Sequence, residues 1–138
     1  MKTAFLFPGQ ASQKVGMGYD LYKETKIGKK YFEIANEIMQ IDLKDIIFNG
    51  PDEKLKQTQY TQPAIYLVSV ILGELLKQNK IKTEALAGHS LGEYSALTFA
   101  DAFPFEVGME LVKLRAESMQ NAGTIMNGTM AAIIGLNR

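Results

Sequence analysis

Cysteine is absent from the 138 residues, and histidine occurs once, at His89. The first absence excludes a disulfide framework and any thiolate-bound metal, and the second excludes a histidine-rich zinc centre within these residues. No metal site is expected. Net charge is missing too: fifteen lysines and arginines balance fifteen aspartates and glutamates, so there is no long-range field to steer the chain to a polyphosphate backbone. Nucleic acid is set aside as a partner. Long apolar runs are also lacking. The longest, Ala64 to Leu76, is broken by Ser69, Gly73 and Glu74 and falls short of the about 20 residues a bilayer-crossing helix takes. The apolar run Ala4 to Phe7 ends at Pro8-Gly9, too soon for a secretory signal. No membrane partner is expected, and the protein reads as cytoplasmic.

What is present fits a globular α/β domain: 46% of residues are hydrophobic and 22% charged, enough apolar material for one core. The chemistry available rests on hydroxyl, carboxyl, amide and basic groups. Thr3 to Phe7, closed by Pro8-Gly9, reads as a buried strand feeding a loop. Phe32, Ala35, Ile38 and Met39 recur at helical spacing between Thr25 and Met39, and a second helix is expected over Asp42 to Phe48, capped by Asp42 and stopped by Asn49-Gly50-Pro51. Pro63 suits the first turn of a helix, and the residues after it are apolar on nearly every side, as in a helix inside the molecule. Ala85 to Ala87 then forms a brief strand, Gly88 to Gly92 turns, and a helix starts at Glu93. From Glu106 to Ala122, Val107, Leu111, Leu114 and Ser118 share one helical face, with Arg115 and Met119 beside it. Thr129 to Gly135 has strand character.

The stretch Gly88-His89-Ser90-Leu91-Gly92 carries the sharpest signal. A serine hydroxyl is a poor nucleophile near neutral pH and needs exposure, a base and donors for the oxyanion. A strand, a glycine-flanked serine and a helix in that order form a sharp elbow that exposes the Ser90 hydroxyl, and the Leu91 N–H can donate to an acyl oxygen as it becomes anionic. His89 is not expected to be the base, because neighbouring side chains on a tight elbow diverge and a base must come within about 3 Å of the hydroxyl. A structural role fits it better. Gln10, in the loop after the first strand, lies where a second backbone donor belongs. Arg115 has two readings that residues alone leave open: an ion pair with Glu106, Glu110 or Glu117, or a planar fork that grips a carboxylate on the acyl substrate.

These residues, in order, resemble a known family. Phe7-Pro8-Gly9-Gln10 with Ser12-Gln13 and Gly16-Met17-Gly18, Gln59 to Ala64, Gly88 to Leu97, Arg115 with Met119-Gln120, and Met130 to Leu136 are similar to the malonyl-CoA:acyl carrier protein transacylases of bacterial fatty acid synthesis. The resemblance implies that Ser90 carries the acyl group, Gln10 and Leu91 supply oxyanion donors, Arg115 holds the malonyl carboxylate, and Gln62 and Met119 line the pocket. It implies malonyl-CoA and acyl carrier protein as partners, with no metal or redox cofactor. Members of that family are about twice this long, in the range of two-domain enzymes. The expected fold is therefore an incomplete one: residues 1–125 as the N-terminal part of a large domain, a parallel sheet with flanking helices resembling the α/β-hydrolase core, and residues 126–138 as the first strand of a ferredoxin-like small domain. The family's catalytic histidine is expected in a C-terminal half beyond these residues. A serine esterase or thioesterase fragment, and a non-catalytic module for coenzyme A or carrier protein, are the alternatives.

Overall fold

A computed structural model describes residues 2–125 and Gly135, so the strand expected over Thr129 to Gly135 and the small-domain segment 126–138 lie outside the described residues. Two short strands, β1 (Ala4–Phe7) and β2 (Ala85–Gly88), pair in parallel with Ala4 opposite Ala85 and Phe7 opposite Gly88. Being parallel, both strands end at the same edge. The loop carrying Gln10 and the elbow carrying Ser90 therefore leave the sheet side by side.

Between the strands run α1 (Tyr19–Glu24), α2 (Lys26–Met39), α3 (Leu43–Asn49), α4 (Asp52–Leu55) and α5 (Thr58–Gln78); α6 (Gly92–Phe99) and α7 (Phe105–Ile125) follow β2. The sequence explains several boundaries. Thr25 accepts a hydrogen bond from the Gly28 N–H to cap α2, and Asp42 accepts one from the Asp45 N–H to cap α3. Phe32, Ala35 and Met39 bury one face of α2 against Leu43, Ile47, Leu67, Ile71 and their neighbours, which forms the main core. Each fully buried Phe, Leu or Ile among them contributes about 1.5–3 kcal/mol of transfer free energy.

Three expectations need correction. Helix α5 starts at Thr58, so Pro63 sits inside it rather than in its first turn. The lost hydrogen bond falls on the carbonyl of half-exposed Gln59, where water can replace it. Strand β1 is not buried throughout: Phe7 is, but Leu6 points to the open side. Helix α7 buries Phe105, Met109, Val112 and Ala116, whereas Val107, Leu111 and Leu114 are exposed. The apolar stripe chosen by spacing is the wrong one, because a second apolar set, offset along the helix, faces α5.

The packing of α5 on α7 depends on a missing side chain. A Cβ on Gly108 would collide with the hydroxyl of buried Tyr66, which donates to the Phe105 carbonyl at 3.1 Å and shares a hydrogen bond with Thr98 Oγ1 at 2.8 Å. Burial pushes the Tyr66 phenol well above its ordinary range, so it stays a neutral hydrogen-bonding group. No helix among the described residues is long and apolar enough to cross a membrane.

Candidate active site

Ser90 follows β2 with φ of 52°, a left-handed conformation that costs a non-glycine residue energy and is concentrated at functional sites. Its flanking glycines are required by contact. A Cβ on Gly88 would strike the Gly92 carbonyl and the Glu93 nitrogen, and one on Gly92 would strike the Phe7 carbonyl. The elbow expected from the sequence is present, and it exposes Ser90.

The neighbouring loop presses against the elbow. The His89 N–H donates to the Phe7 carbonyl at 3.0 Å, prolonging the strand pairing by one residue. A Cβ on Gly9 would lie 2.6 Å from the His89 carbonyl and 2.8 Å from its Nδ1, so the imidazole packs on the Pro8-Gly9 turn. No hydrogen bond joins His89 to Ser90 among the described residues.

Helices α5 and α7 close the other side. Arg115 Nη2 donates to Ser90 Oγ at 3.1 Å, and Nη1 donates to Gln62 Oε1. Gln62, 1% exposed, donates from Nε2 to Met119 Sδ at 3.3 Å and reaches Gln10 Oε1 at 3.5 Å. Gln10 in turn donates from Nε2 to Thr58 Oγ1 at 3.2 Å. All six residues expected at the site are thus brought together, with Leu91 buried directly after Ser90. The backbone N–H groups of Gln10 and Leu91 have no acceptor among the described residues.

The two readings of Arg115 can now be separated. Among the described residues no carboxylate lies within 4.0 Å of the guanidinium; the ion pairs present are Lys2–Glu84, Lys56–Asp52 and Lys77–Asp101. The half-buried cation is held by an amide, a hydroxyl and the ring of Tyr94, whose centroid is 5.8 Å from its Cζ. A guanidinium has five N–H donors, so Gln62 and Ser90 leave several free to grip an anion in the fork geometry. Sequence reasoning missed Tyr94 and Thr58. Tyr94 could have been found from its place one helical turn after Ser90, whereas the contact between Thr58 and Gln10 spans 48 positions and leaves no local signal.

Comparison with known proteins bears on the family and the fold. The chain is 43% identical over 136 residues to the malonyl CoA-acyl carrier protein transacylase of Bacillus subtilis, covering 99% of this chain and 43% of that protein. Its fold matches the crystal structure of the Synechocystis malonyl-CoA:ACP transacylase with a TM-score of 0.85 at 46% identity, over 88% of this chain and 41% of that one. It also matches a malonyl-transacylase in complex with its type II PKS acyl-carrier protein, with a TM-score of 0.83 at 37% identity, over 88% and 40% of the two chains. The chain thus spans less than half the length of the relatives it matches. Residues 4–136 match the family described as the acyl transferase domain, and it is to this family that the chain belongs.

Proposed function

We propose that the acyltransferase containing this chain moves a malonyl group from malonyl-CoA to the phosphopantetheine thiol of acyl carrier protein through an ester on Ser90. The observation that carries the reading is the Arg115 guanidinium, hydrogen-bonded to the elbow serine and without a carboxylate partner among the described residues. In the first half-reaction Ser90 Oγ attacks the thioester carbonyl, its proton passes to a base, the C–S bond breaks and the coenzyme A thiolate leaves and takes up a proton. In the second, the carrier thiol attacks the ester, and the serine oxygen regains a proton as the C–O bond breaks. The N–H groups of Gln10 and Leu91, without an acceptor among the described residues, suit the oxyanion of both steps, and Arg115 suits the far carboxylate of the acyl group. Gln62 and Met119 line the space between them. Among the described residues no base reaches Ser90; on this reading it is a histidine in the remainder of the acyltransferase. The hydrolase-like large domain and the ferredoxin-like small domain begun by residues 126–138 belong to the same reading, as does the lack of any cofactor.

Radiolabelled malonyl-CoA followed by peptide mapping tests it. The expected result is a malonyl ester on Ser90, slow to form in the 138-residue chain and absent in Ser90→Ala. In Arg115→Ala, malonyl transfer falls while acetyl transfer is kept. Label on another side chain, or an acyl preference indifferent to Arg115, overturns the proposal; rapid stoichiometric labelling of this chain overturns the requirement for a base from elsewhere.

A further inference from the structure

We infer that Thr58 is a positioning residue for the oxyanion loop, acting through Gln10. The loop after β1 is held in an unfavourable shape: Ala11 has φ of 81°, a region L-residues rarely adopt. A strained segment persists only where its surroundings over-determine it. Two of its ties are internal, Ser12 Oγ to the Gly9 carbonyl at 2.7 Å and the Ala11 N–H to Gln13 Oε1 at 2.9 Å. Such ties fix the loop's shape but not its place. Its place is set by Gly9 against His89 on one side and by the Gln10 carboxamide on the other.

That carboxamide is gripped at both ends. Its Nε2 donates to Thr58 Oγ1 at 3.2 Å and its Oε1 faces Gln62 Nε2 at 3.5 Å. Positions 58 and 62 are one helical turn apart on α5 and lie on the same face, so the helix offers an acceptor and a donor spaced for one side-chain amide. The Thr58 contact is the shorter of the two, and Gln62 is shared with Arg115 and Met119. A threonine at the start of a helix commonly bonds backbone nearby. Among the described residues this hydroxyl has Gln10 as its partner instead. The Gln10 N–H, with no acceptor among the described residues, is thereby set beside the elbow for an oxygen that arrives with the substrate.

The inference rests on the acyl-transfer reading above, so its test has one arm that needs no catalysis. In the 138-residue chain, Thr58→Val keeps the shape but removes the acceptor, and Thr58→Ser keeps the acceptor. Backbone ¹⁵N order parameters of Gln10 and Ala11 are expected to fall in the first variant and return in the second, with both proteins melting as the parent does. In the catalytic arm, labelling of Ser90 by malonyl-CoA and by acetyl-CoA is expected to slow about tenfold in Thr58→Val, alike for both donors, with half-saturating concentrations within about twofold and recovery in Thr58→Ser. Unchanged order parameters and rates overturn the inference. So does a loss confined to malonyl-CoA, which would place the effect on Arg115 through Gln62. Order parameters that change as expected, with Ser90 acylated neither in the 138-residue chain nor in the complete acyltransferase, sink the acyl-transfer reading and leave the positioning of the loop standing.

Discussion

Phe32, in the middle of α2, has no exposed surface, while Leu6, in the middle of β1, is 77% exposed. The contrast extends to their surroundings. The helical layer closes around Phe32, Leu43, Ile47, Leu67, Ile71 and Val112. The sheet has two strands among the described residues, and beside β1 lies an open apolar groove of about 420 Å³ lined by Phe5, Leu6, Met17, Val68, Leu72 and Leu76. The helices hold themselves together; the sheet is held by the helices. The site straddles this boundary. Ser90, Leu91 and Gln10 come from the ends of the strands, and Arg115, Gln62, Thr58 and Met119 come from the closed layer. Hydrogen bonds across it are what keep Ser90 in register with the Arg115 guanidinium.

Truncating an apolar side chain on each side measures the contrast directly. Phe32→Ala should cost about 3–5 kcal/mol in urea unfolding, because the cavity it leaves is lined by other rings and cannot collapse. A loss under about 1 kcal/mol would mean the layer is looser than its packing implies. At the boundary, Gly92→Ala forces a methyl against the Phe7 carbonyl and should cost about 1–3 kcal/mol. Amide shifts confined to residues 7–10 and 88–94 would show that the strain stays local, and shifts spread through α2 and α3 would contradict the division.

A smaller effect is expected at the start of α3. Removing the cap in Asp42→Ala should cost about 1 kcal/mol near neutral pH. The Asp45 N–H, and after it the Asn36 amide, hold the Asp42 carboxyl below its ordinary range. A carboxyl whose folded pKa is depressed stabilises above its unfolded value, and the contribution is lost as pH falls through the folded one. Parent and variant should therefore converge in stability below about pH 4, and a gap that widens with acid would refute this account. The smallest effect belongs to the open side: Leu6→Thr keeps a strand-forming side chain and should change stability by no more than about 0.5 kcal/mol while reducing self-association in sedimentation. A loss as large as that of Phe32→Ala would show that the face is covered in solution.

Much of this was legible in the residues themselves. The elbow was, because an exposed serine between strand and helix requires glycines at 88 and 92, and few other arrangements require both. Helix α2 was as well, since its apolar and polar faces separate cleanly. Helix α7 was misread because it carries two overlapping apolar sets, and only the position of α5 decides that Met109 and Val112 turn inward while Leu111 and Leu114 do not. Arg115 was placed beside the exposed stripe, and it is half-buried next to the inward-facing set that includes Val112 and Ala116. The start of α5 was missed because Gln59 to Gln62 look like polar loop residues. Thr61 and Gln62 are in fact buried, Thr61 bonded to the Leu55 carbonyl and Gln62 to Arg115. Polar residues that complete a site break the hydrophobic pattern by which helices are recognised.

The interlock of Gly92 with the Phe7 carbonyl bears on how such a protein can diverge. The elbow and the loop after β1 are joined main chain to main chain, so their alignment is indifferent to most side chains around them. Neighbouring positions can drift while Ser90 and the turn that faces it travel through that divergence as one piece.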